Sequence, residues 1–199
     1  MREIFVSIDI EADGDNIHKH NCIQVGMVAC YFEEKPTFKN IDLWLVSKLQ
    51  VSIENLENHY PDEKTMSEFW SKNMSIYQKI KENAIPPEVA VQKISSWLEV
   101  LSSLYHIQCF VARPASYDWL WFSQLYQRFD FPHKYPLPYS ITCIKSLEYA
   151  LDLIGIDYME NVQNAKLPHT HDAIDDALSQ AYRFLRLRSL LRNRLSNKK

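Results

Sequence analysis

Apolar and polar positions along the chain follow two periods, and the change from one to the other divides it. Residues 3–10 read as an apolar strand, and Asp9 and Glu11 sit two apart near its end. Side chains alternate faces along a strand, so both carboxylates point one way and Ile8 and Ile10 point the other, into a core. A polar loop over 12–21 follows, with His18 and His20. Cys22 to Phe32 is nearly all apolar and suits a central strand, Glu33-Glu34-Lys35-Pro36 makes a turn, and Ile41 to Val46 reads as a third strand. Consecutive strands on short turns form an antiparallel meander.

From Pro61 the spacing becomes helical. Met66, Phe69 and Trp70 recur at helical intervals up to Asn73, and Ser75 to Asn83 is a second short helix. Pro86-Pro87 opens a stronger one carrying Val91, Ile94, Leu98 and Leu101, since proline suits a first turn. Ile107 to Val111 is a buried strand. Ser116 is placed as the cap of a helix running to Phe129, and the proline-bearing stretch from Phe131 to Tyr139 is a loop. Ile144 to Leu153 is a short helix, and a last helix runs from near His171 to about Asn193. Strands followed by alternating helices and strands predict an α/β fold: a mixed five-stranded sheet, with a three-strand antiparallel meander plus parallel strands, flanked by helices. With no repeat or linker, residues 1–199 are expected to form one domain, its core over about 3–187.

Composition removes several classes of function. Only three glycines are present, so there is no P-loop and no GxGxxG. Cys22, Cys30, Cys109 and Cys143 lack CxxC spacing and are expected as buried thiols in a reducing compartment. The start of the chain does not resemble a signal peptide and no apolar run is long enough to span a bilayer, so a soluble cytoplasmic protein is expected. The net charge of −3 conceals an asymmetry. Residues 181–199 hold seven Lys and Arg and no acid, whereas the other 180 residues carry a net −10. That basic terminal helix could touch a phosphate backbone, although a solvated helix face is the simpler reading.

Against this background the acids of the first strand become informative. Side-by-side carboxylates repel and are costly to bury, and a hard divalent cation such as Mg²⁺ or Mn²⁺ relieves both penalties. Asp118, in Ala115-Ser116-Tyr117-Asp118-Trp119, lies where a buried strand gives way to a helix, the end of an α/β sheet at which ligands gather. The third cluster is His171-Asp172-Ala173-Ile174-Asp175-Asp176-Ala177. His171 and Asp176, five apart at a helix start, lie about 140° apart in azimuth, yet both can reach a cavity at that end. His169 has Ile174 at the corresponding position, which favours His171. An His-x-His pair at His18 and His20 lacks further ligands at zinc spacing and reads as surface loop.

Asp9, Glu11, Asp118, Asp176 and His171, in this order and on these element types, resemble the DEDDh 3′→5′ exonucleases of the RNase H-like (DnaQ-like) superfamily. The resemblance covers about residues 3 to 187 and is nearest to the small stand-alone bacterial and phage exoribonuclease-like group. It implies two Mg²⁺ or Mn²⁺ ions about 4 Å apart, held by the four acids, with His171 as the general base. An ordinary imidazole pKa near 6.5 suits that role. The implied reaction is metal-dependent release of nucleoside 5′-monophosphates from 3′ ends of single-stranded RNA or DNA or from 3′ overhangs, RNA favoured. Ala12 and Asp13 are implied near the terminal 3′-OH. Trp70, Tyr117 and Trp119 are candidates for base stacking, although aromatics at helical spacing are more often core. Many members of the group carry Asn where this chain has Pro114, which alters a supporting hydrogen bond and not a metal ligand. Two rivals are a catalytically silent nucleic-acid or protein binding module and an endonuclease on the same scaffold. Membrane association is not expected, and self-association into a homodimer is left open.

Overall fold

A computed structural model describes residues 1–159 and 170–196. The first strand, β1 (Glu3–Ala12), pairs antiparallel with β2 (Cys22–Tyr31), which pairs antiparallel with β3 (Leu45–Ile53). On its other side β1 pairs in parallel with β5 (His106–Ala112). Two-residue strands β4 (Ala84–Ile85) and β6 (Thr142–Cys143) close the edges in parallel, giving the order β4-β3-β2-β1-β5-β6. The mixed sheet thus has six strands where five were expected, because segments this short carry no readable alternation.

The third expected strand, Ile41 to Val46, is a correction. Residues 41–44 form a single helical turn, α1 (Ile41–Trp44), preceded by a 3₁₀ turn in which Thr37 and Asn40 bond each other reciprocally. Buried Trp44 anchors that turn through Nε1 to the Thr37 carbonyl, 3.0 Å away. The strand begins only at Leu45, so local capping overrides an apolar run that looks like a strand.

Among the described residues the other α-helices are α2 (Glu63–Glu68), α3 (Met74–Glu82), α4 (Pro87–Leu104), α5 (Ala115–Gln127), α6 (Ile144–Leu153) and α7 (Ala173–Ser196). Helix α5 starts one residue before Ser116, after an extended Pro114, so Ser116 is not the cap. The period-two reading of β1 holds in space. Ile4, Val6, Ile8 and Ile10 fall in one apolar cluster with α4 and α5, while Phe5 joins a second cluster with α6 and α7. Asp9 and Glu11 continue the Phe5 row, so they face the side that α7 covers. All four cysteines are free; Cys22 and Cys30 are buried, but Cys109 and Cys143 are only half-buried. Among the described residues no helix is long and apolar enough to cross a membrane.

Several arginines of the basic end of α7 have partners within the fold. Arg183 pairs with Glu148, Arg192 pairs with Glu34, and the Arg188 guanidinium lies 4.7 Å from the Phe32 ring centre. Lys198 and Lys199 lie outside the described residues.

Candidate active site

The end of β1, the first turn of α5 and the turn leading into α7 meet around a pocket of about 350 Å³. Asp9, Glu11, Asp118, Asp176 and His171 all line it. One ligand atom each from Glu11, His171 and Asp176 lies within 4.8 Å of the others. Asp9, Asp118 and Asp176 are buried, as is most of Glu11. Five side chains drawn from three distant stretches of sequence therefore converge.

Each arrives for a local reason. Asp9 and Glu11 share a face because a strand alternates. Asp118 sits in the first turn of α5, where the Arg113 amide donates to its Oδ2 at 3.2 Å. Asp176 occupies the first turn of α7, with its own amide on the Asp172 carbonyl at 3.1 Å and the Thr170 amide donating to Oδ1 at 3.3 Å. His171 precedes the helix and has φ 56°, in the left-handed region that non-glycine residues rarely occupy. His171 thus lies outside the helix, and it and Asp176 both line the one cavity. The imidazole then rests edge-on against Phe69, ring centres 4.8 Å apart.

Two residues of β2 seat the end of α7. Gln24 Oε1 accepts from the Ala173 amide at 2.9 Å. Gly26, which pairs with Asp9 across the sheet, lets the helix approach so closely that a Cβ there would lie 2.2 Å from the Ala173 backbone. One turn beyond Asp176, Gln180 Nε2 donates to Asp9 Oδ1 at 2.5 Å. Asp172 turns away from the pocket, bonded by Lys79 at 3.1 Å and by Gln50. Arg113 lines the pocket, but its guanidinium is held by Glu148 at 2.9 and 3.1 Å, and Arg183 binds the same carboxylate.

The electrostatics of the acids are strained. Burial raises the Asp9 carboxyl well above its ordinary range, and Asp118, Glu11 and Asp176 push it further, against the bond from Gln180. Glu11 is pushed up to about 9, by burial first and then by Asp176 and Asp118. Asp118 is pushed up to about 7 by burial, the amides of Ile10 and Arg113 opposing and Asp176 adding. With the Arg113 guanidinium engaged by Glu148, the cluster offers carboxylate oxygens and one imidazole, and its acids repel one another when ionised. This donor set suits a hard divalent cation.

Other expected contributors are placed less favourably. Asp13 is fully buried, and both its carboxylate oxygens bind Asn21, at 2.6 and 2.8 Å. Its backbone N–H donates to the Asn21 carbonyl, its C=O accepts from the Asp62 amide, and Asp13 does not line the pocket. Ala12 lines the pocket, but its carbonyl accepts from Trp70 Nε1 at 3.1 Å. Trp70 is wholly buried in the core, and half-buried Trp119 packs on Phe110 and Phe122 and does not line the pocket. Tyr117 is different: it is 40 % exposed and lines the pocket. His169 lies outside the described residues. Phe69, Gln24, Gly26 and Gln180 were not singled out from the sequence. A lone glycine inside a strand often marks close backbone approach, and Gln180 is a polar residue on the stripe of Ala173, Ala177 and Ala181; both signals were available.

Known structures share this architecture. S. pombe Pop2p, in its Mg²⁺- and Mn²⁺-bound form, is 17 % identical with a TM-score of 0.61, over 93 % of this chain and 82 % of its own. The nuclease domain of 3′hExo, a DEDDh family member bound to rAMP, is 14 % identical with a TM-score of 0.60, over 94 % and 92 %. E. coli exonuclease I in complex with a dT13 oligonucleotide is 14 % identical with a TM-score of 0.66, over 99 % of this chain but only 43 % of its own. No curated protein sequence matches the chain. The chain thus has the fold of these nuclease structures, with four acids and a histidine gathered in one pocket. The family described as the 3′-5′ exoribonuclease Rv2179c-like domain matches residues 5–186, and the chain belongs to it.

Proposed function

We propose that the protein hydrolyses phosphodiester bonds stepwise from the 3′ end of single-stranded nucleic acid or 3′ overhangs, preferring RNA, and releases nucleoside 5′-monophosphates. The observation that carries this reading is the convergence of Glu11, His171 and Asp176 within 4.8 Å, in a pocket that Asp9 and Asp118 also line. The four acids would hold two divalent cations of the Mg²⁺ or Mn²⁺ type. When bound, such ions offset the carboxylate charge, acidify a water and stabilise the leaving oxygen.

The protein's own groups supply the rest. His171 accepts the proton of the attacking water; the bond from phosphorus to the 3′-oxygen breaks, and that oxygen stays on the shortened strand. Gln180 fixes the rotamer of Asp9, and the Arg113 amide fixes that of Asp118. Tyr117 offers a partly exposed ring to the terminal base. The preference for RNA is supported by the exoribonuclease family to which the chain belongs. The cytoplasm, a reducing compartment, agrees with four free cysteines.

Digestion of 5′-labelled and 3′-labelled single-stranded RNA and DNA with Mn²⁺ tests this reading. The 5′-labelled strand should give a ladder shortening from the far end, and the 3′-labelled strand a single labelled mononucleotide. Asp9→Asn should do neither. Internal cuts in a circular strand, or binding with no shortening, would remove it.

A further inference from the structure

A second cavity, of about 310 Å³, lies further along α5 from the acidic pocket, and no carboxylate lines it. It is lined by His18, His20, His59, Trp121, Gln124 and Arg128 among others. The two spaces are consecutive along α5. Tyr117 lines the first and Trp121, 6.2 Å from it between ring centres, lines the second. The loop after β1 continues from one to the other: Gly14 and Asp15 border the acids, and Ile17, His18 and His20 border the second cavity.

The polar groups there are pre-positioned. His59 is 7 % exposed, and its Nδ1 lies 3.0 Å from the Glu57 carbonyl. That carbonyl can only accept, so Nδ1 carries the proton and Nε2 is left as an acceptor facing the cavity. Arg128 Nη1 donates to it at 3.4 Å. Among the described residues Arg128 has no carboxylate partner, so its guanidinium is oriented but its charge is not neutralised. His20 is likewise held, with Nδ1 2.8 Å from the Tyr60 carbonyl and Nε2 3.9 Å from the Asp15 carboxylate. An oriented guanidinium without a carboxylate partner, beside the amides of Gln124 and Gln127, suits a phosphate.

We propose that this cavity binds a backbone phosphate of the substrate strand upstream of the scissile bond, with Arg128 as its principal ligand. This rests on the nuclease reading. Arg128 follows Asp118 by ten residues, about 15 Å along a helix at 1.5 Å per residue. That distance matches about four nucleotides at 3.4 Å per nucleotide, fewer if the strand is stretched. The subsite therefore acts on longer strands and is beyond reach of a dinucleotide.

The experiment is fluorescence anisotropy with 5′-labelled RNA carrying a phosphorothioate at the 3′-terminal linkage, comparing an octamer with a dinucleotide at several salt concentrations. Arg128→Gln should weaken octamer binding about tenfold and reduce its salt slope by about 0.7, the contribution of one phosphate contact in a single strand. Dinucleotide binding should not change, and Arg128→Lys should recover most of the octamer affinity. Unchanged octamer affinity, or an equal loss for both lengths, overturns the subsite. Binding is read without turnover, so the two readings separate. An octamer-specific loss in a protein that releases no mononucleotide with Mn²⁺ would retire the nuclease and keep the subsite.

Discussion

Replacing Glu11 by Gln should make the metal-free protein more stable while removing its activity. In the folded protein the Glu11 carboxyl is pushed up to about 9, from 4.5 in an unfolded chain. Between those values the folded state holds a proton that the unfolded state has released. Stability changes with pH in proportion to protons bound by the unfolded state minus those bound by the folded state, here a negative difference. Glu11's contribution is therefore intact below about 4.5, falls as pH rises to about 9, and is flat beyond. At about 1.36 kcal/mol per pH unit, the loss by pH 7.5 reaches about 4 kcal/mol. Gln carries no proton to lose, but its amide must still be buried, so a net gain of about 2–4 kcal/mol is expected. For a chain of this length that is a rise in Tm of roughly 4–16 °C. Thermal unfolding in EDTA from pH 5 to 9 measures it, and the gap between variant and wild type should widen with pH. With Mn²⁺ the order should reverse, because bound cations favour the ionised acid. A variant no more stable than wild type in EDTA at pH 8 would refute the claim that these acids are held against repulsion.

Three further outcomes bear on how the site is held together. His171→Asn and His171→Ala should both lower turnover by about 10²-fold or more; Asn tolerates the left-handed backbone, so only the Ala variant should also lose about 1 kcal/mol in urea unfolding. Gly26→Ala forces a methyl into the Ala173 backbone, and should cost about 1–3 kcal/mol and weaken Mn²⁺ activation by shifting α7, an effect calorimetry and steady-state rates can separate. Glu148→Gln leaves Arg113 and Arg183 without their shared carboxylate; with both arginines partly exposed, about 1–3 kcal/mol should be lost in urea unfolding, with a lower kcat if the Arg113 turn positions Asp118.

Much of the site was legible from local pattern alone. The facing of Asp9 and Glu11 follows from strand alternation, and Asp118 and Asp176 lie in first turns that apolar spacing locates to within a few residues. Of the three aromatic candidates only Tyr117 reaches the pocket, for a physical reason: Trp70 is taken up by the core and Trp119 packs on Phe110 and Phe122. Asp13 was lost similarly, since Asn21 across the loop satisfies it. Gly26, Gln24 and Gln180 matter through the register of β1 on β2 and the approach of α7 to the sheet, contacts between residues up to 171 apart. The one-turn helix at Ile41–Trp44 was misread because four residues are too few to show a period. Arg128 and His59, from separate segments, gave no motif at all.

The most direct test of the central claim is calorimetric titration of Mn²⁺ into the metal-free protein at pH 7 in buffers of different ionisation enthalpy. Glu11 holds a proton at that pH and the neighbouring acids share its burial, so ion binding should release protons, and Asp176→Asn should weaken binding severely. Binding with no proton release, or equal affinity in the variant, would contradict the assignment of these acids as a cation site.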